Sequence, residues 1–301
     1  MSSFRESIKE QLLENRPNLS ASSVKTYTST LVNLLTKIPT INQNKLNVNM
    51  FTTKHKQIMK FMVDFSSSKR KSILSALYIV TGNMIYNEKM KEDMSAVYDD
   101  YKTQKKTAKE EKNWIEWEDV LQLHSTLTRE AGSILLKPRI NNAEINKLNR
   151  FILLSVYTMI PPRRIQDMQL MQIRNYDSET DNHYNIDTGD FVFHKYKTAG
   201  VYGSQTININ GSKLQSLIEV WMDINDSDFL IVSERDHDSG VKGSNLTSML
   251  NSIFDSNVSV SMLRKSFLSY TYKDIDLLKM EKLATQMGHS SSTALGKYVK
   301  K

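Results

Sequence analysis

No cysteine occurs among the 301 residues. That excludes a disulfide framework, a thiolate zinc site and a cysteine nucleophile. No stretch approaches the roughly 18 uninterrupted apolar residues that a membrane span needs. The opening MSSFRESIKEQLLENRP carries charge throughout and lacks the apolar core of a secretory signal, so an intracellular address is expected. The familiar phosphate and hydrolase signatures are also missing: no GxGxxG, no GxxxxGK[ST], no HExxH, no GxSxG. Histidines at 55, 124, 183, 194, 237 and 289 show no metal-ligand spacing, so no metal site is expected. The carboxylate pairs Asp99-Asp100 and Glu110-Glu111 sit in charge-rich stretches and read as solvated surface.

What is present is an uneven positive charge. The chain has 40 Lys and Arg against 33 Asp and Glu. Residues 1–112 hold 19 basic and 11 acidic side chains, which leaves 21 and 22 for the remainder. A basic first third beside a neutral remainder points to an anionic partner, with nucleic acid the leading candidate.

That first third reads as a bundle of four or five helices. One runs from Ser22 with Val24, Tyr27, Leu31, Leu34 and Ile38 at helical spacing, capped by Ser22 or Ser23. A second, Phe51 to Phe65, places Ile58, Phe61, Met62 and Phe65 on one side. A third starts near Ser68 and stops at Gly82. A fourth carries Ile85, Met94, Val97, Tyr98 and Tyr101, read as core. Residues 102–112, KTQKKTAKEEK, are rich in lysine and poor in large apolar side chains, the pattern of a linker or solvated helix end. The expected division is therefore a helical domain over 1–101, a basic linker over 102–112 and a second domain over 113–301. In that last part, Leu148 to Met159 is a helix that Pro161 and Pro162 terminate. Phe191–Tyr196 and Gln205–Ile209 are strands of a hairpin whose loop holds Gly200 and Gly203. Leu214–Ile224 is helical, 229–232 is a short buried strand or extended segment, and the chain from Ser244 is helical in pieces, broken at Gly288. The fold class is mainly α with a small β-sheet (α+β).

Five residues stand out by their order: Arg164 after the double proline, Lys197 in YKTAGVYGSQTINI, Arg264 in SMLRKSFLS, His289 in MGHSSSTALGKY, and Tyr298 nine residues later. In that order, residues 113–301 resemble the catalytic domain of the tyrosine recombinases. Arg164-Ile-Gln-Asp167 matches that family's Arg-x-x-Glu. Lys197 falls on its hairpin lysine, LRKSF on its Leu-Arg-His-Ser/Thr-Phe, and the ending on its LGH…Y. The PPRR and YKT wording is most similar to integrases of eukaryotic DNA viruses, virophages and related mobile elements. Ser261 stands where the family usually has a histidine, so the proton-transfer help expected there falls to another group or is weakened.

The resemblance implies a DNA recombinase or integrase that works through a 3′-phosphotyrosine. Tyr298 would attack the scissile phosphate, with Arg164 and Arg264 on its non-bridging oxygens. His289 would assist and Lys197 would protonate the leaving oxygen. Arg163 and Asp167 would support, Asp167 by holding Arg164 or bracing its helix. The chemistry is consistent with these types. Planar guanidinium groups donate paired hydrogen bonds to developing phosphate charge. A phenol with pKa near 10 needs surrounding cations to act as nucleophile. No cofactor or metal is implied. The partner is double-stranded DNA, with a dimer on one site, a tetramer in synapsis, and no membrane. A helical first domain similar in kind to the family's core-binding domain would contact the duplex, with Lys69, Arg70 and Lys71 as candidates at a helix start and Lys105 and Lys106 along the linker. A viral member would act in the host nucleus or at a viral replication site. Two other readings use the same scaffold: a DNA-binding protein that no longer cuts, and a topoisomerase IB-like or telomere-resolving enzyme.

Overall fold

A computed structural model of the chain describes residues 2–272, 277–288 and 293, with Lys102 and residues 277–281 described by their backbone alone. The chain divides into two compact units, Met1–Thr103 and Gln104–Lys301. Among the described residues, no helix is long and apolar enough to cross a membrane.

The first unit is helical. In α1 (Ser2–Asn15), Phe4, Ile8 and Leu12 recur every fourth residue and form one buried face. The next helix, α2 (Ala21–Lys37), buries Val24, Leu31, Val32, Leu34 and Leu35. Its cap is Ser20, whose hydroxyl accepts from the Ser23 N–H, and not Ser22 or Ser23 as the sequence suggested. Their hydroxyls instead bond to that of Ser20. The expected single helix over Phe51–Phe65 is two pieces, α3 (Met50–Thr53) and α4 (His55–Phe61), separated at Lys54. By contrast α5 (Ser67–Thr81) matches its expectation closely. Ser66 caps its start, and Gly82 ends it in the left-handed conformation (φ 64°) with its N–H on Tyr78 O.

Against α5 packs α6 (Met84–Lys102), in a different rotation from the one expected. Ile85, Met94 and Tyr98 are exposed, and Tyr86, Asp93 and Val97 face inward. Polar bonds fix that rotation. The Tyr86 hydroxyl donates to Phe51 O at 2.5 Å. Arg70 of α5 forms a two-point ion pair with Asp93, at 2.7 Å through Nε and 2.5 Å through Nη2. A buried carboxylate with a guanidinium partner is costly to leave unmatched, so this pair outweighs the apolar preference of the exposed side chains.

The second unit begins within the lysine-rich stretch. There α7 (Ala108–Asn113) opens with a capping box between Thr107 and Glu110. Glu110 is buried and ion-paired with Lys265, where the sequence suggested a solvated charge. Trp117, buried, starts α8 (Trp117–Leu135), which packs on α9 (Asn142–Met159). At its start α9 has the Asn141–Glu144 capping box, and it ends at Ile160 ahead of the two prolines. One turn, α10 (Ile165–Met168), then leads to the sheet.

Strands β1 (His183–Asn185), β2 (Asp190–Phe193) and β3 (Gln205–Asn208) form an antiparallel sheet in sequence order, with Phe193 opposite Gln205. Tyr184, Phe191 and Phe193 are its fully buried side chains. The β2–β3 connection is longer than the sequence implied, because it contains the turn α11 (Ala199–Tyr202). Next come α12 (Lys213–Met222) and a bulged hairpin of β4 (Val232–Ser233) and β5 (Asp236–Gly240). Three further helices are α13 (Gly243–Phe254), α14 (Val260–Thr271) and α15 (Leu277–Gln286). Leu154, Trp221, Leu250 and Leu263 join the inner sheet residues in one core.

The Glu110–Lys265 pair makes stability in this unit depend on acid. Burial alone would raise the Glu110 pKa, but Lys265 and the Thr107 donors overcome it and hold it down to about 2. A depressed carboxylate stabilises the fold above its ordinary pKa, near 4.5, and that stability is lost as pH falls toward 2. Glu110→Gln should therefore cost about 1–3 kcal/mol at pH 7 and much less at pH 3. Urea unfolding at both values measures this; an equal cost at both would contradict the pairing.

Candidate active site

The turn that follows α9 supplies most of the site. Pro161 and Pro162 stop the helix, and the extended chain from Ile160 to Arg164 carries two arginines in opposite senses. Arg163 turns inward and is 1% exposed. Its Nε donates to Asp167 Oδ2 at 2.9 Å, one helical turn on, and its Nη1 donates to Gln205 Oε1 (2.6 Å) and Gln286 O (2.7 Å). The guanidinium lies 4.3 Å over the Phe193 ring and 5.0 Å over Tyr196. Asp167 is therefore the side-chain partner of Arg163 and not of Arg164, which corrects the first of the two roles expected for it, holding Arg164, and leaves the second, bracing that helix. The reason is local: Arg164 is the extended residue at the N-cap of α10, so its side chain leaves the helix while Arg163 reaches back over the first turn.

Arg164 is half-buried and donates through Nη1 to Gly288 O at 3.2 Å. Arg264, on α14, is also 1% exposed; its Nη1 donates to Pro162 O (2.5 Å) and its Nη2 to Met287 O (3.2 Å). Thr198 Oγ1 adds a bond to Gly288 O (3.3 Å), and Gln205 Nε2 one to Thr285 O (3.3 Å). Five side chains from three parts of the sequence thus meet successive carbonyls at the C-terminal end of α15. These are the groups a helix leaves unpaired, and they carry the negative end of its dipole.

Gly288 fits this place because its φ is +69°, a left-handed conformation that a residue with a Cβ adopts only at a cost. The charges feel strong burial. Desolvation lowers the Arg163 pKa and Asp167 opposes it, but a guanidinium remains protonated at neutral pH. Desolvation raises the Asp167 pKa, while Arg163, Arg164 and Arg264 all favour its charged form. Burial likewise raises the phenol of Tyr157, whose field comes from Asp167 and Arg264.

Lys197 is exposed, in the turn between β2 and α11. Ser261 is exposed in the first turn of α14, three residues before Arg264. His289 and Tyr298 lie outside the described residues. Of the residues expected to meet DNA, Lys69 is exposed, with Nζ 3.6 Å over the Phe65 ring, and Lys71 is half-buried. Arg70 is bound within the fold by Asp93 and the carbonyls of Met62, Val63 and Phe65, which opposes its expected phosphate contact. Lys105 is exposed. Lys106 pairs with Glu116 at 3.5 Å and lies 4.1 Å over Trp114. Gln205 and Thr198 were not singled out in the sequence, although both fall in its lysine segment.

Two solved structures align with nearly the whole chain. The lambda integrase tetramer bound to a Holliday junction matches with a TM-score of 0.55 and 13% identity, over 99% of this chain and 77% of that one. The lambda integrase(75-356) dimer bound to a COC′ core site matches with a TM-score of 0.52 and 11% identity, over 99% and 94%. The fold resembles that of the tyrosine recombinases. No protein-family model matches the sequence, and no curated protein does.

Gly288→Ala should destabilise the second unit by about 1–2 kcal/mol, the cost of a left-handed conformation for a residue with a Cβ. Urea unfolding reads this directly, and an unchanged midpoint would contradict the assigned conformation.

Proposed function

We propose that this chain is a tyrosine recombinase that cuts and rejoins DNA through a 3′-phosphotyrosyl intermediate. The observation that carries the reading is the convergence of Arg163, Arg164 and Arg264 on the turn just before His289, within a recombinase-like fold. In this mechanism Tyr298 releases its proton to solvent, the surrounding cations favouring the phenolate, and its Oη bonds to phosphorus as the P–O5′ bond breaks. The Lys197 ammonium gives its proton to O5′, and His289 assists by hydrogen bonding or proton exchange. Arg164 and Arg264 bind the non-bridging oxygens, exchanging their present carbonyl contacts for the phosphate. Arg163 does not touch the phosphate; with Asp167 it braces the turn.

Guanidinium charge supplies the stabilisation that other phosphoryl-transfer enzymes draw from metal ions, and the phosphotyrosyl bond preserves the energy for religation. The cognate partner is double-stranded DNA, as for the two lambda integrase structures, which are bound to DNA as a tetramer and a dimer. Self-association on DNA follows from the same likeness. Recombination for a virus or related mobile element is the specific role proposed, on the PPRR and YKT wording.

Nicked duplexes from the termini of the encoding element test the reading. Protein and Tyr298→Phe are each incubated with the duplex and then denatured. A covalent protein–DNA band with the parent chain and none with the variant is the expected result. DNA binding should survive the substitution and weaken steeply with salt. An undiminished band from Tyr298→Phe would contradict the nucleophile. Salt-sensitive binding with no band from either protein would favour the non-cutting alternative.

A further inference from the structure

Asn182 stands one residue before β1 and is 6% exposed. A buried amide has to have both ends met, and here every side-chain bond goes to backbone. Its Oδ1 accepts from the N–H groups of His194 (2.8 Å) and Lys195 (2.7 Å). Its Nδ2 donates to Lys195 O (2.8 Å) and to Asp167 O (3.0 Å). Three of these bonds fall on the segment leaving β2, just where the β2–β3 ladder has ended at Phe193 and Gln205. The fourth falls on α10, behind Arg164. Asn182 is itself held, since its carbonyl accepts from Gln172 N–H at 2.9 Å.

Lys197 follows Lys195 by two residues. Beyond it, Thr198 is tied to Gly288 O, and Tyr196 Oη closes on Gly203 O at 2.7 Å. The lysine is thus the exposed link in a segment pinned on both sides, and Asn182 hydrogen-bonds that segment to α10, beside the stacking of Arg163 on Phe193 and Tyr196. We infer that Asn182 is a positioning residue for Lys197, keeping the proton-donating hairpin in register with the turn that carries Arg164.

The inference rests on the proposed strand transfer, in which the Lys197 proton moves to the departing O5′. A positioned general acid contributes roughly 10²–10⁴-fold, and a displacement near 1 Å can cost about 10²-fold. Loss of Asn182 should therefore slow cleavage by roughly 10- to 100-fold through the acid alone.

A duplex with sulfur in place of the bridging 5′ oxygen isolates that step, because a thiolate leaves without needing a proton. Adduct formation on oxygen and sulfur duplexes is compared for the parent chain, Lys197→Ala, Asn182→Ala and Asn182→Asp. The aspartate can still accept from the 194 and 195 N–H groups, but it sets a carboxylate against the carbonyls of Asp167 and Lys195. Both Asn182 variants should be slow on oxygen and within about threefold of the parent on sulfur. Equal slowing on both duplexes, or slowing on neither, overturns the inference. A parent chain that forms no adduct, or a Lys197→Ala that sulfur does not rescue, overturns the role of Lys197 and this inference with it. If Asn182→Ala melts below the assay temperature, Asn182→Asp decides.

Discussion

The charge on Arg163 has no access to water, and the local geometry of the second unit follows from what is needed to hold it there. Its side chain and that of Asp167 are both fully buried. Such a pair is tolerable only with good geometry and further hydrogen bonds. Asp167 meets one edge of the guanidinium, Gln205 and Gln286 O meet another, and Phe193 and Tyr196 lie against its face. Those partners come from α10, β3, the end of α15 and the segment at the end of β2. Holding this buried cation, whose Nη2 like Asp167 Oδ1 has no hydrogen-bond partner among the described residues, therefore ties together the elements that carry Arg164, Lys197 and the turn before His289.

Burial also separates two arginines that are neighbours in sequence. Arg163 is enclosed and Arg164 is half-buried on a backbone carbonyl. Burial alone does not set the roles, since Arg264 is as enclosed as Arg163. Arg163 is tied to a buried carboxylate, Asp167, whereas Arg164 and Arg264 rest on backbone carbonyls whose exchange for a phosphate leaves no carboxylate unmatched. The carbonyl end of α15 gives the arginines a polar surface in the meantime, and its dipole has the sign to attract them.

Much of this fold could be read from residue pattern. The stop of α5 at Gly82, the end of α9 at the double proline and the hairpin around Lys197 all rest on short-range chemistry. The Gly288 break did too, since its positive φ is a local property of glycine. What stayed hidden was polar pairing at a distance. The rotation of α6 depends on Arg70 and Asp93, 23 residues apart. Glu110 finds Lys265 across 155 residues. Buried asparagines are hardest of all: Asn149 and Asn182 each stand in for a peptide group, bonding the backbone at Val232 and at His194–Lys195 respectively. Nothing in a lone asparagine codon marks it as structural. Spacing to Asp167 singles out Arg164, but that Arg163 is enclosed and takes Asp167 as its own partner depends on contacts no spacing shows.

The division of labour between these two arginines is most directly tested by thermal melting of Arg163→Met and Arg164→Met, each read beside its covalent DNA adduct. Removing the enclosed cation leaves Asp167 buried and unmatched, at a cost of about 3–5 kcal/mol, or roughly 10 °C for a unit of this size. Arg164→Met should melt within a few degrees of the parent chain while forming no adduct. The reverse pattern, a large loss of stability from Arg164→Met with Arg163→Met melting normally, would contradict the assignment of Arg163 as the buried brace.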